Sequence, residues 1–335
     1  MQIYLAPLEG ITTYVYRRAY EHNFGGVDRY FTPFIVNKKM AKKEIEGLLP
    51  ENNPGKELIP QIMSNRAEDF IQVAKEIATY GYDTVNLNLG CPSGTVVSKK
   101  RGAGFLAHTD ELDAFLSEVY EKCPIKISIK TRIGLEDESE WEKILSIYEK
   151  YPMEELIIHP RLRSDFYKGA IRKEAFARAL ECIKVPICYN GEINSLEDVV
   201  KIKEEFPQVE RIMLGRGVLR YPRLIGEIRA WEQGKSIEEA KEMPVFGSYE
   251  NQMGDENRNL EQEYQIRLRS FHEEVYQGYR EIMSGDKNTL FKMKELWSYM
   301  GDSFHGAEKQ IKQIKKANRL IEYESAVNAI FFLNV

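Results

Sequence analysis

The chain has no Cys-x-x-Cys pair, and its four cysteines, Cys91, Cys123, Cys182 and Cys188, have no histidine pair close by. Structural zinc is therefore not expected, nor any other metal. Four cysteines among 335 residues do not make a disulfide framework, which points to a reducing cytoplasm. There is no net positive charge: the balance is −5, so any polyanionic partner must meet a local basic patch. No apolar run reaches the roughly 18–20 residues that span a bilayer, so no membrane is expected. The opening MQIYLAPLEG has neither a basic n-region nor a long apolar h-region, and it does not read as a signal peptide. Internal repeats, low-complexity segments and a G-x-G-x-x-G after the first strand are all missing. What remains is 43% hydrophobic and 30% charged, an ordinary globular composition with length for one large domain and a small one.

The most informative stretch is Val85-Asn86-Leu87-Asn88-Leu89-Gly90-Cys91-Pro92. Its period of two predicts a strand with one apolar and one amide face. Asn is depleted in strands, and an unpartnered buried amide costs about 1–3 kcal/mol. Two on one face suggest a lumen for polar ligands. Gly90 ends the strand and Cys91 follows, braced by Pro92. The thiol is either a reagent or a small apolar residue closing a core strand.

Strands are predicted over 3–7, 29–34, 58–63, 84–89, 125–130, 155–159, 186–190 and 211–215. Helical patterns fall between them, one with Ile71, Ala74, Ile77 and Ala78 on a single face. Eight alternations predict an α/β fold, the (β/α)8 TIM barrel, with a doubly wound sheet as the alternative. Gly102-Ala103-Gly104 has no strand before it and reads as a flexible loop. Composition changes near Pro244, and helices are predicted over 262–283, 287–300, 307–316 and 317–332. The expected domains are a barrel over 1–243 and a C-terminal four-helix bundle domain over 244–335.

Barrel active sites lie at the C-terminal strand ends. Those ends carry Pro7, Leu8 and Glu9; Gln61; Asn88 and Cys91; Lys130 and Arg132; His159; Asn190, Gly191 and Glu192; Gly215, Arg216 and Gly217. Gly215 to Gly217 and Asn190-Gly191 suit a phosphate, because glycine lets backbone N–H groups approach an anion. They also suit plain tight turns. Lys130 could stabilise an anion, form a Schiff base, or be an ordinary salt-bridged lysine. His159 could be a core histidine, a phosphate ligand or an acid/base group.

Together these residues resemble the tRNA-dihydrouridine synthases, flavin-dependent barrel enzymes. The resemblance runs from Ala6–Thr12 through Gln61, Asn86–Pro92, Ile129–Arg132, His159–Arg161 and Asn190–Ile193 to Leu214–Gly217. The combination of N-x-G-C-P with K-x-R and H-x-R is specific, although each part alone is weak. The resemblance implies FMN as cofactor, NADPH as reductant and the C5–C6 bond of uracil in tRNA as target. By the same resemblance Pro7, Leu8 and Glu9 border the flavin ring and Gln61 hydrogen-bonds it. Lys130 stabilises its reduced, anionic form. His159, Asn190, Gly191, Glu192, Gly215 and Arg216 hold the phosphate end. Asn88, Arg132 and Tyr167 contact substrate, and Cys91 is the general acid. A thiol suits that role, since its ordinary pKa of about 8.5 keeps it protonated at neutral pH. Three departures stand out: Leu8 where the family has Met, Pro160 where Gly is commoner, and Glu192 where Asp is usual.

A uridine in tRNA has to be turned out of its stack to be reduced, and the RNA backbone needs positive charge. Lys309, Lys312, Lys315, Lys316 and Arg319 have no acidic residue between them. At helical spacing Lys309, Lys312, Lys316 and Arg319 fall on one face. Lys99, Lys100 and Arg101 lie just after Cys91. Both runs are candidate phosphate contacts or simply solvated faces. A monomer with no obligate protein partner is expected. Three other readings remain open: a flavin barrel acting on a free pyrimidine, a Lys130 Schiff-base lyase, and an RNA-binding barrel without catalysis.

Overall fold

The computed structural model of the protein describes residues 1–53, 55–243 and 260–333. Two compact units divide the chain. The first takes in 1–7, 28–192 and 203–214; the second takes in 8–27, 193–202 and the described part of 215–335.

The first unit holds nine strands: β1 (Gln2–Leu5), β2 (Arg29–Phe31), β3 (Glu57–Ile59), β4 (Gln61–Ile62), β5 (Thr84–Leu89), β6 (Lys126–Arg132), β7 (Leu156–His159), β8 (Ile187–Tyr189) and β9 (Arg211–Leu214). Every pairing is parallel, in the order β3-β2-β1-β9-β8-β7-β6-β5-β4. The strand expected over 58–63 is split at Pro60, which has no N–H to continue a ladder. Its first half pairs with β2 and its second with β5. The two edges of the sheet are therefore halves of one segment, and the nine strands form a nearly closed barrel. Thr32 stabilises the break: its N–H donates to the Ile59 carbonyl at 3.1 Å and its Oγ1 accepts the Gln61 N–H at 2.9 Å. The strand expected over 29–34 ends early, at Phe31, just before Thr32 and Pro33.

One end of the barrel interior is closed by charge. The buried Glu155 carboxylate takes the Tyr4 hydroxyl at 2.8 Å, Arg29 at 3.3 Å and Arg211 at 3.3 Å. The Arg29 guanidinium also lies 5.0 Å from the Tyr4 ring centre. Burial raises the Glu155 pKa, against the pull of Arg29. Four helices of this unit, Ala67–Ala78, Thr109–Lys122, Glu140–Tyr148 and Lys173–Cys182, bury apolar faces such as Phe70, Ile71, Val73, Ala74 and Ile77.

The second unit contains the four predicted C-terminal helices, observed as Leu260–Ile282, Asp286–Met300, Glu308–Lys316 and Leu320–Leu333. A four-helix bundle is not confirmed, because other helices of this unit pack on them. The helix Tyr14–Asn23 packs along Leu260–Ile282, and Arg216–Arg220 packs on Asp286–Met300. The reason is a ladder of rings: Phe271 meets Tyr16, Tyr20 and Phe24 edge-on at 5.3, 6.3 and 5.7 Å. Gly278 permits the contact, since a Cβ there would come within 2.6 Å of Val15. The boundary expected at Pro244 lies outside the described residues. Among the described residues no helix is long and apolar enough to cross a membrane.

Candidate active site

The register of the barrel sets polar side chains level across neighbouring strands. Gln61, Asn86 and Ser128 align across β4, β5 and β6. Asn88 and Lys130 align two residues further on, and Arg132 is level with His159 on β7. These positions share the amide face of β5 predicted from its alternation.

The amides form one directional chain. Asn88 Oδ1 accepts the backbone N–H groups of Gly90 and Cys91, both at 3.0 Å. Its Nδ2 therefore donates, to Gln61 Oε1 at 2.8 Å. Gln61 Nε2 then donates to Asn86 Oδ1 at 2.8 Å, and Asn86 Nδ2 donates to Ser128 Oγ at 2.9 Å. The Ser128 hydroxyl ends the chain on the Val85 carbonyl at 3.4 Å. The two backbone N–H groups at Cys91 thus fix which end of each buried amide donates. Gln61 and Asn88 each keep one N–H beyond these bonds.

Cys91 is half-buried, and its loop is packed from below. The Ala103 N–H donates to the Cys91 carbonyl at 3.1 Å. Gly102 has φ +55°, and a Cβ there would lie 2.9 Å from the Cys91 oxygen. A Cβ on Gly104 would lie 2.7 Å from Val97 Cα. The expected flexible loop at Gly102 to Gly104 is thus a buried helical turn, Gly102–Ala107, with both glycines required by close approach. A Gly-x-Gly eleven residues after Cys91 is the signal the sequence offers.

Lys130 is level with Asn88, three residues before this thiol. Its ammonium makes no hydrogen bond or ion pair among the described residues. Burial, helped by the neighbouring Arg132, pushes its pKa down to about 8, while Cys188 and Cys91 pull it up. Burial also pushes the Cys188 thiol well up. Arg132 is buried, and it donates to the carbonyls of Gly90, Leu162 and Phe166 at 2.9, 2.8 and 2.8 Å. It ties the Cys91 loop to the loop after β7. Tyr167 on that loop stacks on His159, with ring centres 6.3 Å apart, and lies 5.3 Å from the Arg132 guanidinium.

Arg161 closes the H-x-R signature. It is buried, donates to the Gly169 carbonyl at 2.7 Å and pairs with Glu192, yet its Nη1 has no hydrogen-bond partner among the described residues. Asn190 donates to the Met213 carbonyl at 2.7 Å. A Cβ on Gly191 would run into the Tyr189 hydroxyl. Pro7 is the last residue of the β1 segment in this unit.

Leu8, Glu9, Gly215 and Arg216 belong to the second unit. There the Leu8 N–H donates to Thr12 Oγ1 at 2.8 Å, and Glu9 is exposed. Gly215 precedes the short helix Arg216–Arg220. Lys309, Lys312, Lys315 and Lys316 are exposed on or near the helix Glu308–Lys316. Arg319 is not on that helix: it lies in the turn beyond Ala317 and pairs with Glu322 at 2.7 Å. In the first unit Lys99 and Lys100 are exposed and Arg101 half-buried, and Lys100 pairs with Glu111 at 2.9 Å. No group of His, Cys, Asp or Glu among the described residues could hold a metal.

Residues 4–320 match the family model described as dihydrouridine synthase. The chain is 29% identical over 259 residues to a tRNA-dihydrouridine(16) synthase of Aquipseudomonas alcaligenes, covering 73% of this chain and 82% of that protein. It is 28% identical over 238 residues to tRNA-dihydrouridine synthase B of Pasteurella multocida, covering 70% and 71%. Among solved structures, histamine dehydrogenase from Rhizobium sp. 4-9 matches with a TM-score of 0.52 at 11% identity, over 82% of this chain and 49% of that one. That likeness concerns the fold alone.

Proposed function

The chain belongs to the dihydrouridine synthase family, and from that premise we propose that it reduces the C5–C6 double bond of uridines in tRNA, with FMN as cofactor and NADPH as reductant. The single observation that carries the reading is the amide chain ending on the Cys91 backbone, with Asn88 level with Lys130, whose ammonium makes no hydrogen bond or ion pair among the described residues.

Three features of the site fit a flavin phosphate ester. Lys130 is half-buried, its ammonium makes no hydrogen bond or ion pair among the described residues, and it suits an electron-rich ring edge. Arg161 Nη1 is a buried donor without an acceptor, and such a group costs stability unless a ligand meets it. Gly191 has no room for a side chain beside Tyr189. Gln61, with one amide N–H left over, would hydrogen-bond the ring, and Pro7, Leu8 and Glu9 would border it. His159, Asn190, Gly191, Glu192, Gly215 and Arg216 would hold the phosphate end. Bound and reduced, FMN would supply the hydride that reaches uracil C6.

The protein's own part is positioning and proton supply. Asn88 has one N–H left for a uracil carbonyl. Cys91 would deliver its Sγ proton to C5, on the face opposite the incoming hydride, and be reprotonated from solvent. Arg132 would act on substrate through Tyr167 and the Cys91 loop, since three of its five N–H donors are committed to backbone carbonyls. Lys99, Lys100, Arg101, Lys309, Lys312, Lys316 and Arg319 would meet tRNA phosphates.

The test is direct. Purified protein should absorb near 450 nm, release FMN on denaturation, and form dihydrouridine in tRNA from cells that lack the modification when given NADPH. Cys91→Ala should keep its flavin and still be reduced by NADPH, but lose most product formation. Full turnover in that variant would sink the general-acid role.

A further inference from the structure

Two large aromatic side chains stand next to each other on the loop after β7 in the open: Phe166 is 44% exposed and Tyr167 46%. Phe166 also has φ +50°, a left-handed conformation that is costly for a bulky L-residue. A strained backbone that displays a phenyl ring to water gains the fold nothing. The loop is nevertheless firmly built. Arg132 donates to the Phe166 carbonyl at 2.8 Å. The Phe166 N–H donates to Arg163 O at 3.0 Å, and the Arg163 and Ser164 N–H groups bond Gly134 and Leu135, each at 3.0 Å. Asp165 accepts the Leu162 N–H at 2.9 Å and pairs with Arg172. Strain that the surroundings over-determine is a mark of function.

Each ring has a guanidinium near it. Arg163 lies 5.0 Å from the Phe166 centre and Arg132 5.3 Å from that of Tyr167. Lys168, next in sequence, is exposed and makes no ion pair among the described residues. Exposed rings interleaved with Arg and Lys match unstacked nucleobases, which offer π-faces joined by phosphates. An apolar peptide partner would gain nothing from the cations.

We propose that Phe166, with Tyr167, forms a stacking platform for the nucleotides flanking the uridine that enters the barrel, so that Phe166 is a tRNA-binding residue. The inference rests on the tRNA reading above. It assigns Phe166 to the neighbours of the target base and not to the reacting ring.

The discriminating variant is Phe166→Asn, because Asn tolerates φ > 0 and removes the ring. It should fold with an equal or higher melting temperature, yet bind unmodified tRNA transcripts about tenfold more weakly. The slope of log Kd against log salt should not change, since no phosphate contact is lost. NADPH-driven flavin reduction without tRNA should match wild type, and Phe166→Trp should restore affinity. Wild-type affinity in Phe166→Asn would overturn the platform, and so would affinity and melting temperature falling together, the result of a purely structural role. If the wild-type protein formed no dihydrouridine on tRNA, the functional reading itself would fail and the platform with it. Retained wild-type turnover alongside unchanged Phe166→Asn binding would remove the platform alone.

Discussion

Asn88 holds the backbone N–H of Cys91 at 3.0 Å on the same carboxamide oxygen that takes Gly90. The general acid proposed here is thus aimed by a side chain three residues earlier. That side chain is in turn oriented by Gln61, Asn86 and Ser128.

Asn86 should therefore act as a positioning residue. Asn86→Leu leaves Gln61 Nε2 without its acceptor, at a cost of about 1–3 kcal/mol for a buried group left unsatisfied, while Ser128 keeps only the Val85 carbonyl. It also frees the Gln61 amide to turn. We expect kcat on tRNA to fall while KM for tRNA stays near wild type, since no RNA contact is removed. An unchanged kcat in a variant that has lost stability would reduce the chain of amides to a packing device.

Lys130 predicts a pH effect. Its ammonium is disfavoured by burial, and its pKa is about 8 against the usual 10.5. Between those values the folded, flavin-free protein has released a proton that the unfolded chain retains, so stability should rise with pH across that window. Below pH 8 the full penalty of the buried charge applies. Lys130→Met should then be more stable than wild type at pH 7, with the difference shrinking from pH 8 to 10.5. Urea unfolding of both flavin-free proteins at three pH values reads this, and a pH-independent difference would contradict it.

The barrel was legible in the sequence because its strands keep their patterns, the alternation of Val85 to Leu89 most clearly. What escaped depends on distant pairing. The joint role of Gln61, Asn86 and Ser128 exists only in the register of three strands separated by dozens of residues. Pro60 lies inside an apolar run whose pattern does not show that the halves pair with different neighbours. Gly102 and Gly104 looked like loop residues because close approach leaves no periodic trace. The helix Tyr14–Asn23 follows β1 as a barrel helix should, yet its rings are matched by Phe271, more than 240 residues later. The site residues were legible as types at strand ends. Their division of labour, with Arg132 bonding carbonyls and Arg161 keeping a free donor, was not.

The charged end of the barrel gives a stability prediction. Glu155→Ala leaves Arg211, Arg29 and the Tyr4 hydroxyl without their shared acceptor. Arg29 keeps Glu57, and Tyr4 and Arg211 keep Gln2, so the loss should fall below the roughly 3–5 kcal/mol of an uncompensated buried charge. Glu155 touches none of the residues proposed to meet substrate, so the folded fraction should keep wild-type kcat. A loss of turnover at full folding would mean that this end of the barrel communicates with Cys91.

His272 predicts an acid sensitivity of the second unit. It is fully enclosed, with its Nε2 2.5 Å from the Tyr323 hydroxyl. Trp297 Nε1 donates to that same oxygen at 2.9 Å, which leaves the Tyr323 proton for His272 and places the histidine's own proton on Nδ1. Burial lowers the His272 pKa to about 3, with Arg269 adding to the effect. As pH falls below about 6.5, the unfolded chain takes up a proton that the folded unit refuses until pH 3. Stability should decline over that interval. His272→Phe should begin lower at pH 7, because the Tyr323 hydroxyl loses its acceptor, but should lose less between pH 6.5 and 4. Parallel losses in the two proteins, followed by far-UV circular dichroism in urea, would assign the acid sensitivity to other groups.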